Sequence, residues 1–234
     1  MKATKLLTVL SLAGCMVLAA QAPAADTAKT TTEPTITYLD IPAPAPVKSD
    51  GSTATFVTGS DATQLAQYGF KMIEQIGGKM IDEVNRELAN REISEAVSIL
   101  HLKNLELPKP VAGRPAITAI KWTSLLIRNP RNAPDAADTE ALNKIHGQLM
   151  ADETPDKMLV QKIERAGQPV EWRVYRPIAA SQSCLACHGD PKTFRPGVKA
   201  ALDLLYPEDK AVEYGAKEWR GIIRVSLTAP AAAK

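Results

Sequence analysis

The chain has 234 residues, 45% of them hydrophobic, and a formal net charge of +2, which is material for one globular domain with extensions. Residues 1–25 contain Lys2 and Lys5 and no acid, so without them 26 basic residues face 26 acidic ones. A neutral chain with no long basic run has no electrostatic footprint for nucleic acid or for an anionic membrane surface, and neither is expected as a partner.

Met1 to Lys5, the apolar run from Leu6 to Ala20 and the small residues before Asp26 follow the order of a charged n-region, an h-region and a cleavage zone. Residues 1–25 therefore read as a signal peptide. Leu12-Ala-Gly-Cys15 also resembles a lipobox, which makes Cys15 an alternative lipid-anchor site, although the apolar run continues past it through Met16-Val17-Leu18. Either route exports the chain, with the periplasm as its expected location. No later stretch of about 18 apolar residues occurs, so no transmembrane helix is expected in the mature chain.

Residues 26–60 are rich in Ala, Thr, Pro and Ser and include Ile41-Pro-Ala-Pro-Ala-Pro-Val47, a composition that favours extended polyproline conformations and reads as a tether. A first strand around Ile36 to Ile41 is the alternative. The folded domain is expected over 61–228, followed by a disordered tail at 229–234. Asp61 and Gln64 have the spacing of a capping box, and Ile73, Ile76, Met80, Val84 and Leu88 then make one helical stripe. Beyond Asn90 a second helical run spaces Ile93, Val97 and His101 by four, which puts the histidine on an apolar face.

After Pro108 the texture becomes strand-like, beginning with Ala116 to Ile127, and Asn129-Pro130 with Ala133-Pro134 predicts a turn. A short helix is expected from about Thr139 to Met150. Met158 to Glu164 and Val170 to Ile178 read as a hairpin through Ala166-Gly-Gln168. Gly221 to Leu227 sets Ile223, Val225 and Leu227 against Ile222, Arg224 and Ser226, the pattern of a half-buried closing strand. The class is α+β, helices first and an antiparallel sheet later, with no internal repeat.

The chemistry lies in Cys184-Leu-Ala-Cys187-His188, the Cys-x-x-Cys-His attachment pattern of c-type haem. Two thiols three residues apart on one turn reach the two vinyl groups of one porphyrin edge, and the next residue brings its imidazole under the iron as proximal ligand. With three Cys and three His in the chain, chance produces the pattern in on the order of one such chain in two thousand. Export agrees with one covalent haem c. Three other readings compete: a thioredoxin-like redox pair, which belongs at a helix start early in a parallel unit; a structural zinc, which needs His101 and His146 to join the cysteines; and a plain Cys184–Cys187 disulfide.

Ile127-Arg-Asn-Pro-Arg-Asn-Ala-Pro-Asp135, Tyr175-Arg-Pro-Ile178, Cys184 to Pro191 and Leu205-Tyr-Pro-Glu-Asp209, with Gly221 to Leu227, occur here in one order. Together they resemble the family of PAS-like c-type haem domains, long described only as a domain of unknown function. The resemblance covers roughly residues 61 to 228. It implies a PAS-like five-stranded antiparallel sheet, a long N-terminal helix and a redox or small-ligand sensing role, in stand-alone exported proteins or in sensor portions of histidine kinases and chemoreceptors. In that family a cysteine often precedes the His-Leu-Lys segment as a sixth iron ligand, whereas here Leu100 stands before His101-Leu102-Lys103. The iron is then five-coordinate or takes another donor.

His101 is the first candidate for that donor, with a core histidine as its alternative. His146 reads as surface or structural and Met150 and Met158 as core filler rather than thioether ligands; Trp122, Trp172 and Tyr175 suit a haem wall and ordinary packing equally, and no role is assigned to them. No catalytic triad, phosphate loop or carboxylate pair is present, so the chain is not read as an enzyme. Weak peroxidase activity would need a distal acid–base pair that the residues do not supply. The expectation is an exported single-haem module that senses redox state or a diatomic gas and reports to a redox or signalling partner protein; the alternative is a periplasmic monohaem cytochrome c electron carrier.

Overall fold

A computed structural model describes residues 50–102 and 106–228, apart from the side chains of residues 60–62, 101 and 102. The leader, Cys15, the alternative strand at Ile36 to Ile41 and the tail at 229–234 lie outside these residues. Strands β1 (Thr53–Phe56), β2 (Ala116–Thr123), β3 (Leu159–Glu164), β4 (Glu171–Ala179) and β5 (Trp219–Thr228) form one antiparallel sheet in the order β1-β3-β4-β5-β2. The helices are α1 (Ser60–Asn90), α2 (Ile93–Leu102), α3 (Ala136–Met150), α4 (Leu185–His188) and α5 (Val198–Leu205). The α+β class and the β3–β4 hairpin agree with the sequence reading. No helix among the described residues is long and apolar enough to cross a membrane.

The tether expected to run to residue 60 ends earlier, because Thr53–Phe56 pairs with Glu164 to Gln161 as the edge strand. Its threonines, read as linker composition, are β-branched residues that suit a half-exposed edge. The first helix starts at Ser60 with Gly59 at the cap position and no side-chain cap bond, in place of the expected Asp61 start. α3 begins at Ala136 rather than Thr139: the Asp135 side chain accepts from the Asp138 backbone and the Asp138 side chain accepts from the Asp135 backbone, a complete capping box. β2 stops at Thr123, short of the expected Ile127. There Gly221 of β5 lets the chain pass so closely that a Cβ at this glycine would collide with the Thr123 carbonyl and Ser124.

Both faces of the sheet are covered. On one, Ile223, Val225 and Leu227 join Val160 and Val174 against Ala66 and Ile73 of α1. On the other, Leu159, Tyr175 and Ile222 pack on Ala141, Leu142 and Ile145 of α3. β5 is thus buried on both sides, not half-buried as its alternation implies. Its polar residue Arg224 is matched by charge: it donates to the Asp138 carboxylate at 2.8 and 3.0 Å, while Arg173 of β4 reaches Asp135 at 2.7 and 2.8 Å. Asp138 is fully buried, and burying a carboxylate is costly unless such cationic partners surround it.

α1 lies tight against the sheet at Gly69, where an added Cβ would lie 2.5 Å from Val174 Cγ2, whereas one at Gly78 would meet nothing within 4 Å. Gly69→Ala should therefore destabilise the fold by about 1–3 kcal/mol through overpacking. Gly78→Ala should stabilise it by up to about 1 kcal/mol through helix propensity. Denaturant unfolding of the two variants reads the opposite signs directly; equal effects would mean that α1 does not seat on β4 at Gly69.

Candidate functional site

The Cys-x-x-Cys-His segment lies on the long connection between β4 and β5, residues 180–218. These strands are antiparallel neighbours, so the connection leaves and returns at the same end of the sheet. Its base is closed by Ala180 N donating to the Glu218 carbonyl and Lys217 N to the Ala180 carbonyl, both at 2.8 Å. Pro177, which cannot donate to a ladder, is tolerated in β4 because β3–β4 pairing has already ended at Tyr175.

Inside the connection a 3₁₀ turn at Gln182–Cys184 runs directly into α4, placing Cys184 one turn before the adjacent Cys187 and His188 on one coil. No disulfide joins Cys184 and Cys187 in this structure. The Cys184 sulfur lies 3.1 Å from Ser181 Oγ. Burial pushes the Cys187 thiol up from its ordinary value, with the Arg128 charge acting against that rise.

His188 is oriented by backbone. Its Nδ1 lies 2.6 Å from the carbonyl oxygen of Ala211, and a carbonyl only accepts, so Nδ1 carries the proton and Nε2 keeps a lone pair. The same stretch grips α4 twice more: Tyr214 N donates to the His188 carbonyl and Glu213 N to the Gly189 carbonyl, each at 2.9 Å. The Tyr214 ring meets the imidazole edge-on at 6.3 Å. Burial holds the imidazole well below its ordinary pKa, and the charges of Arg220 and Arg128 push the same way, against the hydrogen bond to Ala211.

Arg128 belongs to the turn after β2 and ties three segments together. Its Nε donates to Asp209 Oδ2 at 2.9 Å, and its outer nitrogen donates to the Ala211 carbonyl at 3.1 Å and to the Cys187 carbonyl. Asp209 Oδ1 accepts from Ala211 N at 2.8 Å, which fixes the turn that presents Ala211. Beside it, Arg220 donates to Ser124 Oγ at 2.7 Å and lies over the Tyr214 ring at 5.1 Å.

The apolar surroundings come from two sides. Cys184 and Leu185 pack against Ala180, Ala211 and Tyr214. Cys187 and Ala186 pack against a cluster of Ile93 and Val97 from α2 with Val198, Leu202 and Tyr206 of α5 and its end. His101 lies on α2 one turn beyond Val97, and its side chain is outside the described residues. The other expected residues lie elsewhere. His146 is on α3, its ring 6.4 Å from that of Trp219. Met150 is exposed at the end of α3. Met158, Trp122 and Trp172 pack in the α1 cluster, and the Tyr175 hydroxyl donates to Gln161 in the α3 cluster. Among the described residues no three His, Cys, Asp or Glu side chains form a metal-binding group.

Sequence reasoning missed the roles of Ala211, Arg128 and Asp209. Ala211 acts through its backbone and leaves no side-chain trace. Arg128 and Asp209 stood within two of the quoted motifs, and their pairing required the fold. α5 was also missed, although Val198, Leu202 and Tyr206 step by four along the chain.

The class that fold and site define is an α+β domain with a Cys-x-x-Cys-His coil on an excursion between two sheet strands, its histidine fixed by a backbone carbonyl. Residues 54–228 match the model of the Tll0287-like family (Tll0287), and the chain belongs to that family. Among solved structures, that of the cyanobacterial heme-protein Tll0287 is similar at 26% identity and a TM-score of 0.35, over 49% of this chain and 62% of that one, less than two thirds of its length. No curated protein matches the chain.

The unfolded chain takes up a proton on His188 near pH 6.5, its ordinary value, while the folded chain resists it. Stability of the haem-free protein should therefore fall as the pH drops below about 6.5, and His188→Gln should remove that part of the slope. Urea midpoints across pH 5 to 8 measure this; the same slope in both proteins would mean that His188 is not held neutral.

Proposed function

We propose that this chain is an exported, single-haem c-type protein with a PAS-like sheet, in which Cys184 and Cys187 form the thioethers and His188 Nε2 is the proximal ligand. The observation that supports it most is the His188 Nδ1 bond to the Ala211 carbonyl, beside two free thiols on the same coil. A proximal imidazole needs that arrangement, with one nitrogen held by a carbonyl and the other left to donate. Membership of a family named for Tll0287, which is a heme-protein in the cyanobacterium, points the same way. Bound haem would supply a one-electron couple and an axial position for a second donor or a diatomic gas.

In this reading Leu185, Ala186 and the residues of the two flanking clusters exclude water from the thioether side. Tyr214 walls the imidazole edge, and Ala211 prevents the ring from rotating. The role favoured is sensing of redox state or of a small ligand. Cys187 packs in one cluster with α2 and α5, so a displacement of α4 is transmitted to α2 and to α1 before it, which a partner protein can read. His101 is the proposed second axial donor from its place on α2. No catalytic role is proposed. Export to the periplasm, by residues 1–25 or by a lipid on Cys15, matches the compartment in which haem is joined to cysteines.

Two experiments on protein made with haem-maturation machinery test this. Cys184→Ala with Cys187→Ala should abolish haem that survives denaturation; covalent haem retained in that variant would overturn the reading. Optical spectra of the oxidised, reduced and reduced-plus-CO forms separate the roles. A CO-shifted spectrum supports the ligand sensor, whereas a low-spin spectrum indifferent to CO supports electron transfer or pure redox sensing. In the low-spin case His101→Ala should turn the spectrum high-spin, and an unchanged spectrum would remove His101 from the iron.

A further inference from the structure

The carbonyl that orients His188 has a second donor. Ala211 O accepts from His188 Nδ1 at 2.6 Å and from Arg128 at 3.1 Å, and Arg128 is paired with Asp209 at 2.9 Å. The side chains of Arg128 and Asp209 are only 11% and 10% exposed, so salt screens this pair little. Arg128 also donates to the carbonyl of Cys187, next to His188 in the chain.

We infer that Arg128 and Asp209 are a positioning pair that sets the electron affinity of the site through the Ala211 carbonyl, Arg128 raising it and Asp209 holding it back. The inference rests on the haem reading above. A carbonyl that already accepts from a guanidinium offers less negative potential to the imidazole N–H. His188 then gains less imidazolate character and donates more weakly through Nε2, which favours the reduced iron. The positive charge of Arg128 acts in the same direction, since reduction adds one electron to iron(III) with no bond made or broken and no proton required. Asp209 offsets that charge and draws the guanidinium to its own side.

The signs separate this role from a structural one. Arg128→Gln removes a positive charge and a donor, so the reduced form should be disfavoured by about tenfold, a fall of about 59 mV for a one-electron couple. Asp209→Asn keeps an oxygen for Ala211 N but leaves Arg128 uncompensated, so the potential should rise by a similar factor. The measurement is a spectroelectrochemical titration of the covalently loaded wild type and both variants, with dithionite as reductant and ferricyanide as oxidant. Shifts of opposite sign support the inference. No shift, or two shifts of the same sign from general loosening of the site, would overturn it and leave the haem reading intact. If Arg128→Gln does not accumulate, a potential in Asp209→Asn at or below that of the wild type overturns it alone. A wild-type chain without covalent haem would overturn the haem reading and this inference together.

Discussion

The antiparallel pairing of β4 with β5 is the constraint on which the rest of the site depends. Because these strands run side by side, the chain that leaves β4 at Ala179 must return to its neighbour at Trp219, and everything between them projects from one end of the sheet. Closing a connection of that length costs little more entropy than closing a short one, because the cost grows only logarithmically with length. What such a connection lacks is rigidity, and here internal bonds supply it. The Ala180–Glu218 and Ala180–Lys217 backbone bonds close the base, and the Ala211 to Tyr214 stretch clasps α4 at three points.

The sheet is kept in place by its own two faces. Apolar packing holds α1, with Gly69 letting the helix settle onto Val174. The α3 face is different: it buries Asp138 under Arg173, Arg224 and Lys121. Burial pushes the Asp135 carboxyl up, but the hydrogen bonds from Arg173 and the Asp138 backbone, with the charges of Arg173 and Arg224, together outweigh it and bring the group down to about 2, so this end of α3 remains anionic at neutral pH. The arginines come from the two central strands, so the same charges that seat α3 also fix how β4 and β5 lie beneath it. That in turn sets where the connection between them begins and ends.

Electrostatics at the site differ in kind from those under α3. Under α3 acids and bases are matched, whereas the His188 imidazole feels the positive charges of Arg220 and Arg128, the second of them paired with Asp209. Burial keeps the imidazole neutral, and the positive charges of the two arginines further disfavour a proton on it. A neutral ring with one nitrogen engaged by a carbonyl is suited to donating from the other.

Several features could be read from residue order alone. The Cys-x-x-Cys-His coil, the hairpin at Gly167, the long first helix and the apolar face of α2 are set by spacing over a few residues, and local geometry leaves them little choice. The boundaries that failed were decided by distant partners. β2 was cut short where it passes Gly221, Thr53–Phe56 became a strand by meeting β3, and β5 was buried on both faces because Asp138 waits for Arg224. The holders of His188 were hidden for the same reason. A backbone carbonyl 23 residues away and an arginine 59 residues from Cys187 enter the site only through the fold. The sequence determined which chemistry is carried; tertiary structure decided how it is held, because holding depends on contacts between segments that no local pattern records.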